Sequence, residues 1–136
     1  MTTKASAERI LIVDDDADTR ESLKVLLETA GYEVEVAPNG SRALRLQHSR
    51  PADAVVTDIF MPVADGIETI RGLRTEFPDV RIIAVSAGGR SVGNETYLAV
   101  ALAAGADAVL RKPMDFDELL AMLKKLLAGH SGPPDP

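Results

Sequence analysis

The sequence predicts an α/β protein built around a doubly wound parallel sheet, and two features of the chain lead to this fold class. Short aliphatic segments alternate five times with longer segments whose apolar residues have helical spacing. Four of the five aliphatic segments are almost uninterrupted runs of Val, Ile, Leu and Ala, which is the pattern of strands covered by helices on both faces. Repeated β-α units join parallel strands by right-handed crossovers. We therefore expect a five-stranded sheet with helices on both sides.

Each element can be assigned to a segment of the chain. The aliphatic segments predict strands at residues 9–14, 33–37, 53–58, 80–86 and 107–112. The first helix is indicated by apolar residues at helical spacing before a glycine that can end it: Leu23, Leu26, Leu27 and Ala30, then Gly31. Three more helices fit residues 40–49, 66–77 and 95–104. The last helix has the most regular apolar stripe, formed by Phe116, Leu119, Leu120, Leu123, Leu126 and Leu127.

The length and composition fit one soluble domain, because 136 residues with 46% hydrophobic and 26% charged side chains can form a full core. We expect the domain at residues 9–128, an N-terminal extension at 1–8 and a flexible tail at 129–136, which is rich in Gly, Ser and Pro. The chain has no cysteine, which excludes disulfides and thiolate metal sites and favours the cytoplasm. A net charge of -6 and the lack of a long apolar run argue against direct contact with nucleic acid or membrane.

Four of the predicted strands end in polar side chains. The first strand ends in Asp14, Asp15 and Asp16, the third in Asp58, the fourth in Ser86 and the fifth in Lys112. In a doubly wound sheet, ligands bind outside the carboxyl ends of the strands, so these groups are expected at one edge. Two carboxylates about 4 Å apart repel by roughly 1 to 4 kcal/mol. A divalent cation relieves this repulsion, and carboxylate ligands favour Mg²⁺ or Mn²⁺ over Zn²⁺.

Taken singly, each of these residues has a plain structural explanation. An aspartate after a strand often caps the next helix, and either Asp16 or Asp18 fits that position, since Asp18 precedes Glu21 at the spacing of a capping box. A calcium loop of the EF-hand type is excluded, because Thr19 stands where glycine is needed and Val25 where a bidentate glutamate is needed. The arrival of polar groups at four strand ends together favours a functional site.

Five short motifs resemble, in this order and on this β-α pattern, the response regulator receiver domain of two-component signalling. They are Val13-Asp14-Asp15, Thr57-Asp58-Ile59-Phe60-Met61-Pro62, Asp65-Gly66, Val85-Ser86-Ala87 and Lys112-Pro113. The resemblance covers roughly residues 8–128 and is closest in kind to the single-domain chemotaxis regulators. It implies the family's flavodoxin-like sheet, with the strands in the order 2-1-3-4-5 and five helices.

The resemblance also implies the parts of a phosphorylation site. Asp58 would accept a phosphoryl group from a phosphohistidine on a histidine kinase or a histidine phosphotransfer protein. The implied ligands of Mg²⁺, with Mn²⁺ as the alternative ion, are the carboxylates of Asp14, Asp15 and Asp58 and the backbone carbonyl of Phe60. The implied contacts to the phosphoryl group are Ser86, the backbone amide of Ala87 and Lys112.

The implied function is that of a phosphoacceptor in a phosphorelay, with output through an unknown downstream protein and no enzymatic activity beyond slow autophosphatase turnover. The alternative is a receiver-like interaction domain that works without phosphate. Two features differ from the family's usual pattern: Val109 stands where many members carry a switching Tyr or Phe, and the segment from Ser86 to Lys112 is longer around Gly88. The output geometry is therefore open, and so is the choice between a stand-alone receiver and a module of a larger regulator.

Overall fold

Strands and helices alternate along the chain, as the sequence predicts. The computed structural model of the protein describes residues 8–59, 66–86 and 94–131, without the side chains of residues 94–98 and 129–131. The strands are β1 (Arg9–Val13), β2 (Glu33–Ala37), β3 (Ala54–Asp58), β4 (Arg81–Ser86) and β5 (Ala108–Arg111). The helices are α1 (Ala17–Thr29), α2 (Gly40–Ser49), α3 (Gly66–Glu76), α4 (Asn94–Ala104) and α5 (Phe116–Ser131).

The five strands form one parallel sheet in the order β2-β1-β3-β4-β5. The register pairs Ile12 of β1 with Val36 of β2 on one side and with Val56 of β3 on the other. The predicted fold class and strand order are thereby confirmed. The chain winds from β1 out to β2 and then crosses back to β3, so the crevice at the carboxyl ends of β1 and β3 is the switch point where such sheets bind ligands.

Each face of the sheet has its own core, because successive residues of a strand point to opposite faces. On one face, strand residues such as Leu11 pack with α2, α3 and α4, and Ile70 of α3 is fully buried there. On the other face, strand residues such as Ile12 pack with Leu27 of α1 and Leu123 of α5. Helices on both sides explain why the strands other than β2, which alternates Glu and Val, are almost continuously aliphatic.

Helix α1 buries a narrower stripe than the sequence predicts. Leu23 and Leu27 are buried, but Leu26 is 41% exposed and Ala30 is exposed as well. The helix packs on the sheet along the line of Leu23 and Leu27, which are four residues apart, and Leu26 lies beside that line on the solvent side. The predicted end of the helix is correct, because Gly31 follows it with a φ of 106°, a conformation that favours glycine.

Helix α5 has the apolar stripe that the sequence predicts. Leu119, Leu123 and Leu127 are buried, and Phe116 and Leu120 are among the partly buried residues that pack beside them. The helix continues to residue 131, which lies within the predicted tail at 129–136, and the predicted domain bounds remain a prediction. None of the helices in the described ranges has both the length and the apolar character needed to cross a bilayer.

Arg74 of α3 holds the edge of the sheet that lies opposite the switch point. Its guanidinium donates hydrogen bonds to the carbonyls of Pro78 and Val80, at 2.7 Å each, and to the carbonyl of Gly105 at 2.9 and 3.1 Å. A further bond of 2.8 Å reaches the Asp107 carboxylate. One side chain thus connects the turns that lead into β4 and β5.

Candidate functional site

The carboxyl ends of four strands bring polar side chains to one edge of the sheet. Asp14 directly follows β1, Asp58 is the last residue of β3, and Ser86 is the last residue of β4. Lys112 directly follows β5, and its backbone N–H donates to the Ser86 carbonyl at 2.8 Å. The four residues therefore lie together at the edge that contains the switch point.

Three carboxylates form the centre of this edge. One oxygen from each of Asp14, Asp15 and Asp58 lies within 4.8 Å of the other two. Asp14 and Asp58 are only 4% and 5% exposed, whereas Asp15 faces solvent. The three carboxylates are hard oxygen ligands, and the cluster is open to water on the side of Asp15. Mg²⁺ and Mn²⁺ prefer such an environment. The cluster therefore fits the ion that the resemblance implies.

The Lys112 ammonium lies against the two buried carboxylates. Its Nζ is 3.4 Å from Oδ2 of Asp14 and 3.4 Å from Oδ2 of Asp58. Burial by itself lowers the pKa of Lys112, but the negative charges of Asp58 and Asp14 act in the opposite direction and bring the pKa above its usual value. Lys112 is therefore charged at neutral pH and offsets part of the repulsion within the cluster.

Hydrogen bonds around Asp14 hold the loop between β1 and α1. The Asp14 N–H donates to the Ala37 carbonyl at 3.1 Å, and Oδ1 of Asp14 accepts from the Asp16 N–H at 2.9 Å. The Asp14 carbonyl accepts a hydrogen bond of 2.8 Å from Nη1 of Arg20. Arg20 is not part of any motif in the sequence that predicts the site. The available signal was a long cationic side chain at the start of the helix that follows the acidic strand end.

Asp16 belongs to helix α1 and not to the carboxylate cluster. Its side chain caps the helix by accepting hydrogen bonds from the Thr19 hydroxyl at 2.6 Å and the Thr19 N–H at 2.9 Å. These two bonds lower the pKa of the Asp16 carboxyl. Of the two predicted candidates for the helix cap, the structure selects Asp16, and Asp18 lies in the first turn.

The backbone around Asp58 is restrained by its neighbours. Thr57 is fully buried, and its hydroxyl donates to the Asp58 carbonyl at 3.1 Å. The Ile59 N–H donates to the Val85 carbonyl at 2.9 Å, and the Gly66 N–H donates to the Ile59 carbonyl at 3.0 Å. A Cβ at Gly66 would lie 2.3 Å from the Asp58 carbonyl oxygen, so a side chain at this position would displace the backbone of the site.

The structure places some of the other predicted residues and leaves others undescribed. Ser86 is fully buried at the end of β4. Phe60, Ala87 and the longer segment around Gly88 lie outside the described residues. Val109 is partly buried in β5 and packs against the core on the face of α2, α3 and α4. At that position the chain therefore has a small aliphatic core residue where an aromatic residue is common.

Comparison with known sequences assigns the chain to one family. The family model described as response regulator receiver domain matches residues 10–124. Response regulator MprA of Mycobacterium sp. (strain KMS) is 44% identical over an alignment of 131 residues that covers 94% of this chain and 55% of that protein. The chain spans about half the length of the curated relatives that it matches.

Comparison with solved structures agrees with this assignment. A CheY-like response regulator receiver domain protein from Methanospirillum hungatei JF-1 is 34% identical with a TM-score of 0.83, covering 92% of this chain and 97% of that one. Response regulator TrrA of Thermotoga maritima, crystallised in complex with Mg(2+)-BeF, is 37% identical with a TM-score of 0.76, covering 88% and 98%. The chain, with its five-stranded sheet and its acidic strand ends, therefore belongs to the response regulator receiver domain family.

Proposed function

We propose that this receiver domain accepts a phosphoryl group on Asp58 in a reaction that depends on Mg²⁺, and that it transmits the signal through protein–protein contacts. The phosphoryl donor would be a histidine kinase or a histidine phosphotransfer protein. The observation that carries the proposal is the ammonium of Lys112, 3.4 Å from both Asp14 and Asp58, beside a third carboxylate from Asp15. This arrangement combines a nucleophile, a set of metal ligands and a fixed positive charge.

We assign the role of nucleophile to Asp58 because it matches the phosphoacceptor in the family's Thr57-Asp58 motif, and the surroundings of the other two carboxylates agree with this choice. One oxygen of Asp14 already accepts the Asp16 N–H, and Asp15 lies at the exposed rim. In the transfer, an Asp58 oxygen forms a bond to phosphorus while the P–N bond of the phosphohistidine breaks, and the imidazole nitrogen keeps the electron pair. No general base is needed, because aspartate carboxylates are ordinarily ionised near pH 7.

The three carboxylates would hold the metal ion together with the backbone carbonyl of Phe60. When bound, Mg²⁺ would neutralise charge on the oxygens of the transferred group. The ligands of the ion would be in place before the phosphoryl donor binds, because Asp14 and Asp58 are fixed at the ends of two adjacent strands. Mn²⁺ has similar ligand preferences and is expected to substitute.

Lys112 and Ser86 would act on the phosphoryl group from the β4–β5 side. Phosphoryl transfer requires mainly correct positioning and positive charge around the transferred oxygens. The Lys112 ammonium is already desolvated in part and paired with Asp58, so it needs little movement to pair with the new phosphoryl oxygens. The Ser86 hydroxyl and the Ala87 backbone amide would supply hydrogen bonds to the remaining oxygens.

We propose partners for this segment alone, because the curated relatives are about twice as long as this chain. A net charge of -6 disfavours direct contact of the segment with nucleic acid, so we propose protein partners for both input and output. We place this activity in the cytoplasm, and we expect slow hydrolysis of the aspartyl phosphate as the sole turnover.

Intact-mass analysis after incubation with acetyl phosphate tests the proposal. With Mg²⁺ the protein is expected to gain the mass of one phosphoryl group, and EDTA is expected to prevent the gain. Asp58→Asn should remove it, because an amide is a poor nucleophile, while Asp79→Asn, a change of the same kind at an exposed turn, should leave it intact. Undiminished labelling of Asp58→Asn would place the phosphoryl group elsewhere. Unlabelled wild-type protein would favour the receiver-like interaction domain that works without phosphate.

A further inference from the structure

Arg20 contacts the loop between β1 and α1, and none of the roles proposed above uses this contact. Its Nη1 donates a hydrogen bond of 2.8 Å to the backbone carbonyl of Asp14. The paired register of β1 and β2 ends at Val13 and Ala37, so the Asp14 carbonyl lies just beyond it. A backbone carbonyl in a partly buried position requires a donor, and the guanidinium of Arg20 reaches back from α1 to supply one.

The hydrogen-bonded carbonyl belongs to the peptide bond between Asp14 and Asp15. A peptide unit is planar, so a bond that holds the Asp14 carbonyl also holds the amide and the Cα of Asp15. Within the part of the chain that the structure describes, no hydrogen bond restrains the Asp15 side chain itself. The position of the Asp15 Cα, from which its carboxylate would reach the ion, therefore depends on the backbone that Arg20 holds. The Asp16 N–H restrains the Asp14 carboxylate in the same loop.

We infer that Arg20 is a positioning residue of the carboxylate cluster, because it holds the backbone from which Asp14 and Asp15 would reach a bound Mg²⁺. The inference rests on the proposed function, because it takes these carboxylates to be the metal ligands. A loop whose backbone is already held loses less conformational freedom when the ion binds, so the hydrogen bond increases the affinity for Mg²⁺. Arg20 does this without touching the ion.

The charge of Arg20 and its hydrogen bond act on Mg²⁺ affinity in opposite directions. A guanidinium near the cluster repels a dication, so the removal of its charge alone would tighten Mg²⁺ binding. The removal of its hydrogen bond releases the peptide between Asp14 and Asp15 and weakens binding. A purely structural role would lower the stability of the fold and leave the affinity unchanged. The sign of the change in the dissociation constant therefore distinguishes the three roles.

Isothermal titration calorimetry with MgCl₂ on the full chain measures this sign. Arg20→Met keeps the length of the side chain but loses the donor and the charge, and it is expected to weaken Mg²⁺ binding by about tenfold, as outer-shell changes commonly do. Arg20→Lys keeps a donor and the charge, and it is expected to recover part of that loss. Arg45→Met, at an exposed position on α2, is the matched control and should bind as the wild type does. Circular dichroism establishes that each variant is folded.

The possible outcomes separate this inference from the proposed function. Equal or tighter binding by Arg20→Met, with normal binding by the wild type, overturns the positioning role and leaves the metal site in place. A Lys variant that binds as weakly as the Met variant also counts against it, because the loss would then come from packing. Absence of Mg²⁺ binding by the wild type overturns both proposals.

Discussion

Replacement of Asp15 by Asn is expected to stabilise the Mg²⁺-free protein. The oxygens of Asp14, Asp15 and Asp58 lie within 4.8 Å of one another, and the Lys112 ammonium contacts the two buried members. At that distance two like charges repel by about 0.9 kcal/mol in water and about 3.5 kcal/mol at an effective dielectric constant of 20. Asp15 faces solvent, so the lower value is the better guide. We expect the free energy of unfolding to rise by about 1 kcal/mol.

In saturating Mg²⁺ the same substitution is expected to lower the stability relative to the wild type. A ligand that binds only the folded state adds about 2.7 kcal/mol to the free energy of unfolding at one hundred times its dissociation constant. The wild type gains this stabilisation, whereas Asp15→Asn has lost a ligand and gains much less. Urea unfolding followed by circular dichroism, in EDTA and in saturating Mg²⁺, should therefore show the stability order of the two proteins reversing. Added salt should reduce the difference in EDTA, because it screens the repulsion.

The matched control is Asp79→Asn, which removes the charge of an exposed aspartate in the turn between α3 and β4. This variant is expected to respond to Mg²⁺ as the wild type does. A loss of stability of Asp15→Asn in EDTA would refute the repulsion argument. A full gain from Mg²⁺ in that variant would remove Asp15 from the set of metal ligands.

Lys112→Met is expected to reduce the dependence on pH of the free energy of unfolding at alkaline pH, measured by urea unfolding. Because the pKa of Lys112 is raised in the folded state, its stabilisation is complete below the unfolded value of 10.5 and is lost as the pH rises through the folded value. Gly66→Ala is expected to slow labelling by acetyl phosphate by about ten- to a hundredfold, because its Cβ would displace the backbone of Asp58. Arg74→Ala is expected to lower the free energy of unfolding by about 2 to 4 kcal/mol, because the partly buried carbonyls of Val80 and Gly105 lose their donor.

Each of these predictions has a result that contradicts it. An alkaline profile of Lys112→Met that matches the wild type would show that the ion pairs contribute no stability. Gly72→Ala is the control for Gly66, because its Cβ meets only the flexible end of Leu44 at 3.3 Å, and equal labelling of both variants would reject the steric argument. Arg71→Ala, at an exposed position of the same helix, is the control for Arg74, and equal urea midpoints for these two variants would reject the network.

The fold class could be predicted from the local pattern of apolar residues in the sequence. Aliphatic runs such as Ile10 to Val13 and Ile82 to Val85 can be accommodated only where helices cover both faces of a strand, so the layers follow from the hydrophobic effect. The place of the candidate site was also predictable. The carboxyl ends of parallel strands meet at one edge, and the strand ends of this chain carry acids and a lysine. The strand order, by contrast, came from the resemblance to a family.

The contacts within the site depend on distances between segments, which the local pattern of residues in the sequence does not specify. The sequence left Asp16 and Asp18 as equal candidates for the helix cap, and the position of the Thr19 amide decides between them. The pairing of Lys112 with Asp14 joins residues 98 positions apart, which become neighbours when β5 is added to the far side of the sheet. Arg20 has a long side chain with many rotamers, and only the folded position of the Asp14 carbonyl selects one of them. Periodic burial is a property of each segment, whereas the partner of a polar side chain depends on which segments meet.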